Sequence, residues 1–243
     1  MSIWGKIIGG AAGFAIGGPI GALIGAVAGH AVDRARAQSP TEPEDATKSI
    51  AFTIATIALG AKMAKADGVV TRDEVDVFKQ VFRVPPEEVK NVSRVFDQAR
   101  RDSGGFEPYA RQIAGMFAEQ PAVLEELLYC LTLIARADGV MHPGEIVYLR
   151  SVSDIFGLDN AAFERITEIT TEGDSADPYK VLGVSRDLSN DDLKAAYRKL
   201  VRENHPDKLI ADGMPEELVE MANDKLAAIN NAYDKISAER GIK

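Results

Sequence analysis

The sequence offers almost nothing from which to build a disulfide framework or a soft-metal site. It contains one cysteine, Cys130, and three histidines, His30, His142 and His205. A single chain therefore closes no disulfide and forms no four-cysteine zinc site, a usage that fits a reducing compartment. Cys130 lies in the apolar run LLYCLTLIA, which reads as a buried helix with the thiol as a small core group. No phosphate-binding P-loop occurs, no histidine has a nucleophile beside it in sequence, and Cys130 has no neighbouring base. Nothing asks for hydrolytic chemistry, and the chain is read as a non-enzyme. Excess positive charge is missing as well. The net charge is −9 over 243 residues, with +1 on residues 1–43, −2 from Asp177 onward and −8 between them. Such a chain cannot offset phosphate repulsion outside one small basic helix, which argues against nucleic acid as a partner.

Charge is absent altogether from Ile7 to Val32, 26 residues if His30 is neutral. A straight helix of that length reaches about 39 Å, longer than the roughly 30 Å hydrocarbon core of a bilayer. Glycines recur every fourth position, at Gly5, Gly9, Gly13, Gly17, Gly21, Gly25 and Gly29. On a helix they form one groove without side chains, which lets a second helix approach closely in lipid. The segment is thus expected to be a membrane anchor, a glycine zipper that self-associates through Gly9, Gly13, Gly17, Gly21, Gly25 and Gly29. Three other readings compete: a cleaved signal peptide, a flexible glycine-rich tail, and a hairpin turning at Gly17-Gly18-Pro19. Asp33 and Arg34 separate the apolar run from the small-x-small triplet Ala35-Arg36-Ala37, against the first. Interleaved Ile, Leu, Val and Phe argue against the second. Pro19 is the weakness of a single span, although membrane helices tolerate proline where neighbours satisfy the freed carbonyl. Arg34 and Arg36 on one side against Lys6 on the other bias the C-terminal part toward the cytoplasm.

Residues 39–47, SPTEPEDAT, hold two prolines and three acidic residues and no large apolar side chain, so residues 37–47 are expected to be an exposed linker. Beyond it, apolar residues recur with helical spacing over 50–66, 74–82, 86–101, 109–117, 123–136, 145–155 and 160–170. Within this all-α stretch Ala61–Phe78 aligns with Thr132–Leu149 at an offset of 71 residues, matching Asp67, Gly68 and Glu74 with Asp138, Gly139 and Glu145. Each copy reads as helix, Asp-Gly turn, helix, and the two suggest a pseudo-symmetric bundle with the apolar helices 50–66 and 123–136 at its centre.

The Asp-Gly-Val-x-x-x-x-Glu unit has the spacing of the second half of an EF-hand loop. Met63 and Lys65, and Ile134 and Arg136, stand where the first two acidic ligands belong, which excludes an ordinary EF-hand. Helix ends at Gly68 and Gly139, a capping box from Thr71 to Glu74 and a helix start at Pro143 account for the pattern structurally. The competing account is a divalent-metal site of converging carboxylates from Asp67, Glu74, Asp138 and Glu145. On these motifs residues 48–170 resemble the TerB-like domain of tellurite-resistance proteins, which implies an all-helical fold with acidic residues suspected of binding metal.

A short linker, residues 171–176, precedes DPYKVLGVS. Ser189 then caps a helix running to about Asn204, with Leu193, Ala196, Tyr197, Leu200 and Val201 on its apolar face and Lys194, Arg198 and Arg202, with Lys199 nearby, on the other. Pro206 disfavours helix at His205, so a rigid loop is expected to present His205 and Asp207. A second long helix from about Pro215 to Ser237 offers Leu218, Met221, Ala222, Leu226, Ile229, Tyr233 and Ile236 for antiparallel packing against the first. The stretches DPYKVLGVS, YRKLVRENHPDK and INNAYDKI match, in order and spacing, the three signatures of the J-domain, which residues 177–243 resemble.

With the glycine-rich residues 1–36 and the TerB-like middle, the whole chain resembles the DjlA/DjiA type of membrane-anchored DnaJ-like co-chaperones. The resemblance implies that His205, Pro206 and Asp207, with Lys194, Arg198, Lys199 and Arg202, engage a DnaK-type chaperone and stimulate its ATP hydrolysis. It also implies a single-pass protein of the bacterial inner membrane with both helical domains in the cytoplasm, membrane lipid as a second partner and no required cofactor. The chain departs from larger DnaJ proteins in lacking a glycine/phenylalanine linker, CxxCxGxG zinc repeats and a client-binding region. The alternative function is metal- or envelope-stress sensing through the acidic repeat, with the J-domain relaying its state.

Overall fold

The computed structural model describes residues 16–28, 44–67, 76, 79–80, 82–102, 104–171 and 176–242. All regular structure among them is helical. The helices are α1 (Gly18–Ala28), α2 (Glu44–Asp67), α3 (Val89–Arg101), α4 (Glu107–Met116), α5 (Pro121–Ala135), α6 (Pro143–Ile155), α7 (Asn160–Ile169), α8 (Pro178–Leu182), α9 (Asn190–Glu203), α10 (Pro206–Ala211) and α11 (Val219–Arg240), with a 3-10 turn at Glu216–Leu218 before the last.

The centre of the first module is α2. Every residue from Ile50 to Ala64 is buried, as expected of a helix apolar on all sides. Its polar exceptions find partners within the core. The Thr53 and Thr56 hydroxyls donate to the carbonyls of Ser49 and Phe52 at 3.0 and 2.9 Å. Lys62, 5 % exposed, donates to the Asp102 and Gly104 carbonyls at 2.9 and 2.6 Å and pairs with the Asp102 carboxylate at 3.2 Å. Around α2 lie α5, which is buried almost throughout, and the amphipathic α3, α4 and α6, while the amphipathic α7 packs on α5. Tyr148 on α6 donates to the Leu59 carbonyl at 2.8 Å, and the rings of Phe52 and Phe117 meet edge to face at 6.4 Å. The central placement expected of residues 50–66 and 123–136 is therefore observed, and Cys130 is a fully buried free thiol.

Two boundaries differ from the sequence reading. The helix expected from Ile50 already begins at Glu44, because no proline lies between positions 44 and 67 and acidic residues suit a helix N-terminus. The expected linker is shorter at that end. In the glycine-rich segment α1 begins at Gly18, after Gly17 and Gly18 take left-handed φ values of +59° and +57°. A left-handed pair interrupts a right-handed helix, so one continuous helix through Gly17 is not observed. No helix among the described residues is long and apolar enough to cross a membrane.

Instead α1 lies against the bundle. Ile20, Leu23 and Ile24 are buried. Gln112 on α4 accepts the Ile20 N–H at 2.9 Å and donates to the Ile16 and Gly17 carbonyls at 3.2 and 2.9 Å. A Cβ at Gly18 would stand 2.7 Å from the Gln112 side chain. Of the expected self-association glycines, Gly21 is buried and Gly25 faces open space, while Gly9, Gly13 and Gly29 lie outside the described residues.

The second module has a small core of its own, formed by Tyr179, Val181, Leu182, Leu193, Leu200, Ile229, Ala232 and Ile236. Asp177 caps α8 by accepting the Tyr179 N–H, Ser189 caps α9 by accepting the Asp192 N–H, and Gly183 ends α8 at φ +65°. Arg240 closes the hairpin, donating to the Leu188 and Arg186 carbonyls, both at 2.6 Å, and to the Tyr179 hydroxyl at 3.1 Å. The long second helix begins at Val219 rather than Pro215. Its first turns do not pack as expected: Leu218, Met221 and Ala222 belong to the core of the first module, with Leu209 and Met214.

Candidate functional site

The site grows from the end of α9. Fourteen residues from Asn190 to Glu203 place Leu193 and Leu200 inward and leave Arg198, Lys199 and Arg202 exposed, with Lys194 half-buried. Acidic residues stand in its first turn and Arg202 in its last, as the helix dipole favours. Lys199 reaches Glu203 at 4.0 Å, whereas Lys194, Arg198 and Arg202 have no ion-pair partner among the described residues. Their positive charge is uncommitted.

The chain then turns at Asn204, which is buried and donates through its side-chain amide to the Leu200 carbonyl at 2.9 Å. The expected rigid loop at His205-Pro206-Asp207 proves to be the start of a helix. His205 is the extended N-cap of α10 and Pro206 its first residue, where a missing N–H is harmless and the fixed φ is helical. The Asp207 N–H donates to His205 Nδ1 at 3.2 Å, which orients the imidazole. Pro206 is buried while the His205 and Asp207 side chains are 51 % and 91 % exposed. A buried proline thus holds two exposed polar groups of opposite type on one edge.

That edge borders an open cleft of about 450 Å³ lined by Tyr197, Arg198, Val201, Arg202, His205, Asp207 and Lys208. Of the residues expected from sequence, His205, Asp207, Arg198 and Arg202 come together there, while the buried Pro206, Lys194 and Lys199 lie outside its lining. Lys208, Tyr197 and Val201 were not singled out. Lys208 directly follows Asp207 and was legible as a further cation; it pairs with Asp212 one turn on. Tyr197 was visible only as an apolar-face residue. Its ring stacks on Tyr233 with centroids 4.0 Å apart, its hydroxyl donates to Asn230 at 3.0 Å, and burial holds its phenol above the ordinary value. The arrangement suits a polar, charge-steered contact with a protein surface. An apolar floor flanked by guanidinium groups and an exposed carboxylate can make charge-assisted hydrogen bonds with little ordering cost.

The acidic repeat is less complete. Gly139 has the expected left-handed φ of +83°. Asp138 accepts the Val140 N–H at 2.9 Å and faces His142 Nε2 at 3.4 Å; the backbone bond from Val140, then the His142 ring, holds its carboxyl below the usual range. Glu145, almost fully buried, accepts the His142 N–H at 2.8 Å at the start of α6. Gly68, Glu74 and the Asp67 side chain lie outside the described residues. Asp138 and Glu145 act in a turn and a helix cap, and no group of three metal-ligating side chains occurs among the described residues. This half of the set does not fit a resident ion by itself.

Comparison with known proteins follows the same divisions. Residues 1–39 match the co-chaperone DjlA transmembrane domain, residues 53–168 the tellurite resistance protein TerB family and residues 177–241 the DnaJ domain. No solved structure matches the chain. The co-chaperone protein DjlA of Vibrio cholerae is 31 % identical over 284 residues, covering the whole of both chains, and that of Aliivibrio fischeri is 31 % identical over 283 residues with the same coverage. The co-chaperone protein DjlA of Coxiella burnetii is 29 % identical over 267 residues, covering 98 % of each chain. With a transmembrane-domain match, a TerB-like bundle and a J-domain whose His-Pro-Asp edge is exposed, and with relatives 31 % identical over the whole of both chains, the chain belongs to the DjlA family of co-chaperones.

Proposed function

We propose that this co-chaperone recruits a DnaK-type chaperone and stimulates its ATP hydrolysis, from a position at the bacterial inner membrane. The observation that carries the reading is the cleft that Arg198, Arg202 and Lys208 line together with exposed His205 and Asp207, the adjoining Pro206 being buried. The uncommitted Arg198 and Arg202 steer an acidic partner surface onto the site, and the fixed helix start presents the imidazole and carboxylate without a search through conformations.

The N-terminal segment supplies the tether, in a single pass that requires α1 to leave its seat on the bundle and that puts both helical modules on the cytoplasmic side; the transmembrane-domain match and the flanking Arg34 and Arg36 support this. Protease protection in inside-out vesicles reads that orientation directly. Tethering raises the local concentration of the J-domain without tight binding. The same segment self-associates through its glycine face, which cross-linking in membranes tests.

The deciding experiment is single-turnover ATP hydrolysis by DnaK with the full chain in nanodiscs and with its His205→Gln variant. Stimulation by the first and its loss in the second, with helicity unchanged, is the expected result. Equal turnover with both would overturn the reading.

A further inference from the structure

The helix that carries Asp207 does not end in solvent. Beyond it, Leu209 and Met214 are 0 % and 1 % exposed within the core of the TerB-like bundle, and Leu218, Met221 and Ala222 follow them in. The connecting turn is gripped from the bundle side. Ser49 donates to the Gly213 carbonyl at 3.0 Å, and a Cβ at Gly213 would stand 2.7 Å from Lys48 Cβ and 3.1 Å from the Phe117 ring. Only glycine permits that approach at φ +108°. One turn into α11 the Met221 sulfur meets the Cys130 thiol at 3.4 Å.

Next along α11, a lysine is fully buried. Lys225, 0 % exposed, lies 3.1 Å from Glu125 and 3.0 Å from Glu126, both on α5 of the bundle, and Arg165 on α7 grips Glu125 at 3.0 Å. Four ionisable groups thus lie between the modules, and Lys225 is the one that comes from the J-domain. A buried cation between two carboxylates holds one arrangement, because separating or sliding the surfaces strands charge in a dry interface. The opposite side of α10 is untouched by this contact, and His205 and Asp207 stay exposed.

We propose that the TerB-like bundle is a positioning element for the co-chaperone site, gripping the chain beyond His205-Pro206-Asp207 and fastened by Lys225 between Glu125 and Glu126. The bundle sets the direction in which the cleft faces a DnaK-type partner. Lys225, Glu125, Glu126 and Ser49 act through the posture of α10 and not by touching that partner. The exposure of His205 and Asp207 in the docked arrangement makes it the productive posture, not an inhibited one. This inference rests on the reading that the cleft engages DnaK.

The test is DnaK concentration dependence in single-turnover hydrolysis, using the full chain in nanodiscs. Lys225→Glu places three carboxylates in the interface and raises the half-saturating DnaK concentration about tenfold, while the maximal stimulation, set by His205 and Asp207, changes less than about twofold. Ser49→Asp sets a carboxylate against the Gly213 carbonyl and raises it about threefold. Should Lys225→Glu lose helicity, Ser49→Asp carries the test, since it lies outside the J-domain's own core. Unchanged half-saturation, or a fall in the maximum without a shift in half-saturation, would overturn the proposal. Equal turnover with wild type and His205→Gln would instead overturn the DnaK reading beneath it, and this inference with it.

Discussion

At the scale of single residues, the two glutamates beside Lys225 behave as different acids although they are neighbours in sequence. Burial pushes both carboxyls up. For Glu125 the Lys225 and Arg165 cations outweigh burial and hold it below its ordinary value, whereas for Glu126 burial outweighs Lys225 and the carboxyl is held above. Glu126 Oε1 is buried with no hydrogen-bond partner among the described residues, so only one of its two oxygens is compensated, by Lys225. Glu126→Gln keeps the side chain's shape and an oxygen for Lys225, which retains Glu125 as its counter-ion, and is therefore expected to change stability by less than about 1 kcal/mol. Lys225→Met strands the ionised Glu125 with Arg165 alone and is expected to cost about 3 kcal/mol. Urea unfolding of both variants checks the order, and a larger loss for Glu126→Gln would refute it.

At the scale of helices, the same residue type does two jobs at the start of α1 and along it. Gly17 and Gly18 adopt left-handed φ, so a side chain there strains the backbone whatever surrounds it. Gly25 is helical and faces open space, so substitution there changes the surface alone. Gly25→Leu is expected to lower cross-linking of the chain to itself in membranes severalfold, as close helix approach is lost, with little effect on the bundle. Undiminished cross-linking would remove Gly25 from the association face. The equivalent change at Gly17 mixes backbone strain with lost contact and cannot separate them. Helix α10 is legible in hindsight: a proline after a histidine cap is a start signal as much as a stop signal. The sequence marked the end of α9 correctly because that end depends on local chemistry. It did not reveal that six further residues wind into a helix, because Leu209 inside another module's core stabilises them.

At the scale of the whole molecule, several buried groups share one sign of response to alkali. Burial, reinforced by Asp102, pushes the Tyr109 phenol up from 10.0 to about 12, and burial raises Tyr129 and Tyr148 as well. Burial works against the Lys225 charge, but Glu125 and Glu126 outweigh it and raise its pKa above 10.5. In each case the folded value exceeds the unfolded one. Their contribution is complete below about pH 10 and is lost as pH rises toward the folded values. The urea midpoint is expected to decline gently from about pH 8.5, where the buried Cys130 thiol ionises first in the unfolded chain, and to fall steeply from pH 10 to 11, with a shallower fall in Lys225→Met. A flat profile through pH 11 would contradict the buried state of these groups. Because Lys225 joins the two modules, their docking weakens in the same window.

The sequence alone determined the helical class, the TerB-like domain, the basic face of α9 and the His-Pro-Asp element, because helical periodicity, the Asp138-Gly139 turn, Ser189 as a cap and a three-residue motif are carried by residues near one another in the chain. It also marked Cys130 as core, since apolar neighbours on every side leave no other place for it. Lys225 shows what it could not determine: in the sequence it is one more charge on a polar stretch of helix, and such residues are almost always solvated. Its burial follows from Glu125 and Glu126, some hundred residues earlier, meeting it across an interface that no local pattern announces. Leu218, Met221 and Ala222 likewise read as one side of a hairpin, and only the tertiary structure assigned them to the bundle. A helix can show an apolar face in its sequence, but which of two apolar surfaces covers that face depends on shape and charge complementarity between segments far apart in the chain.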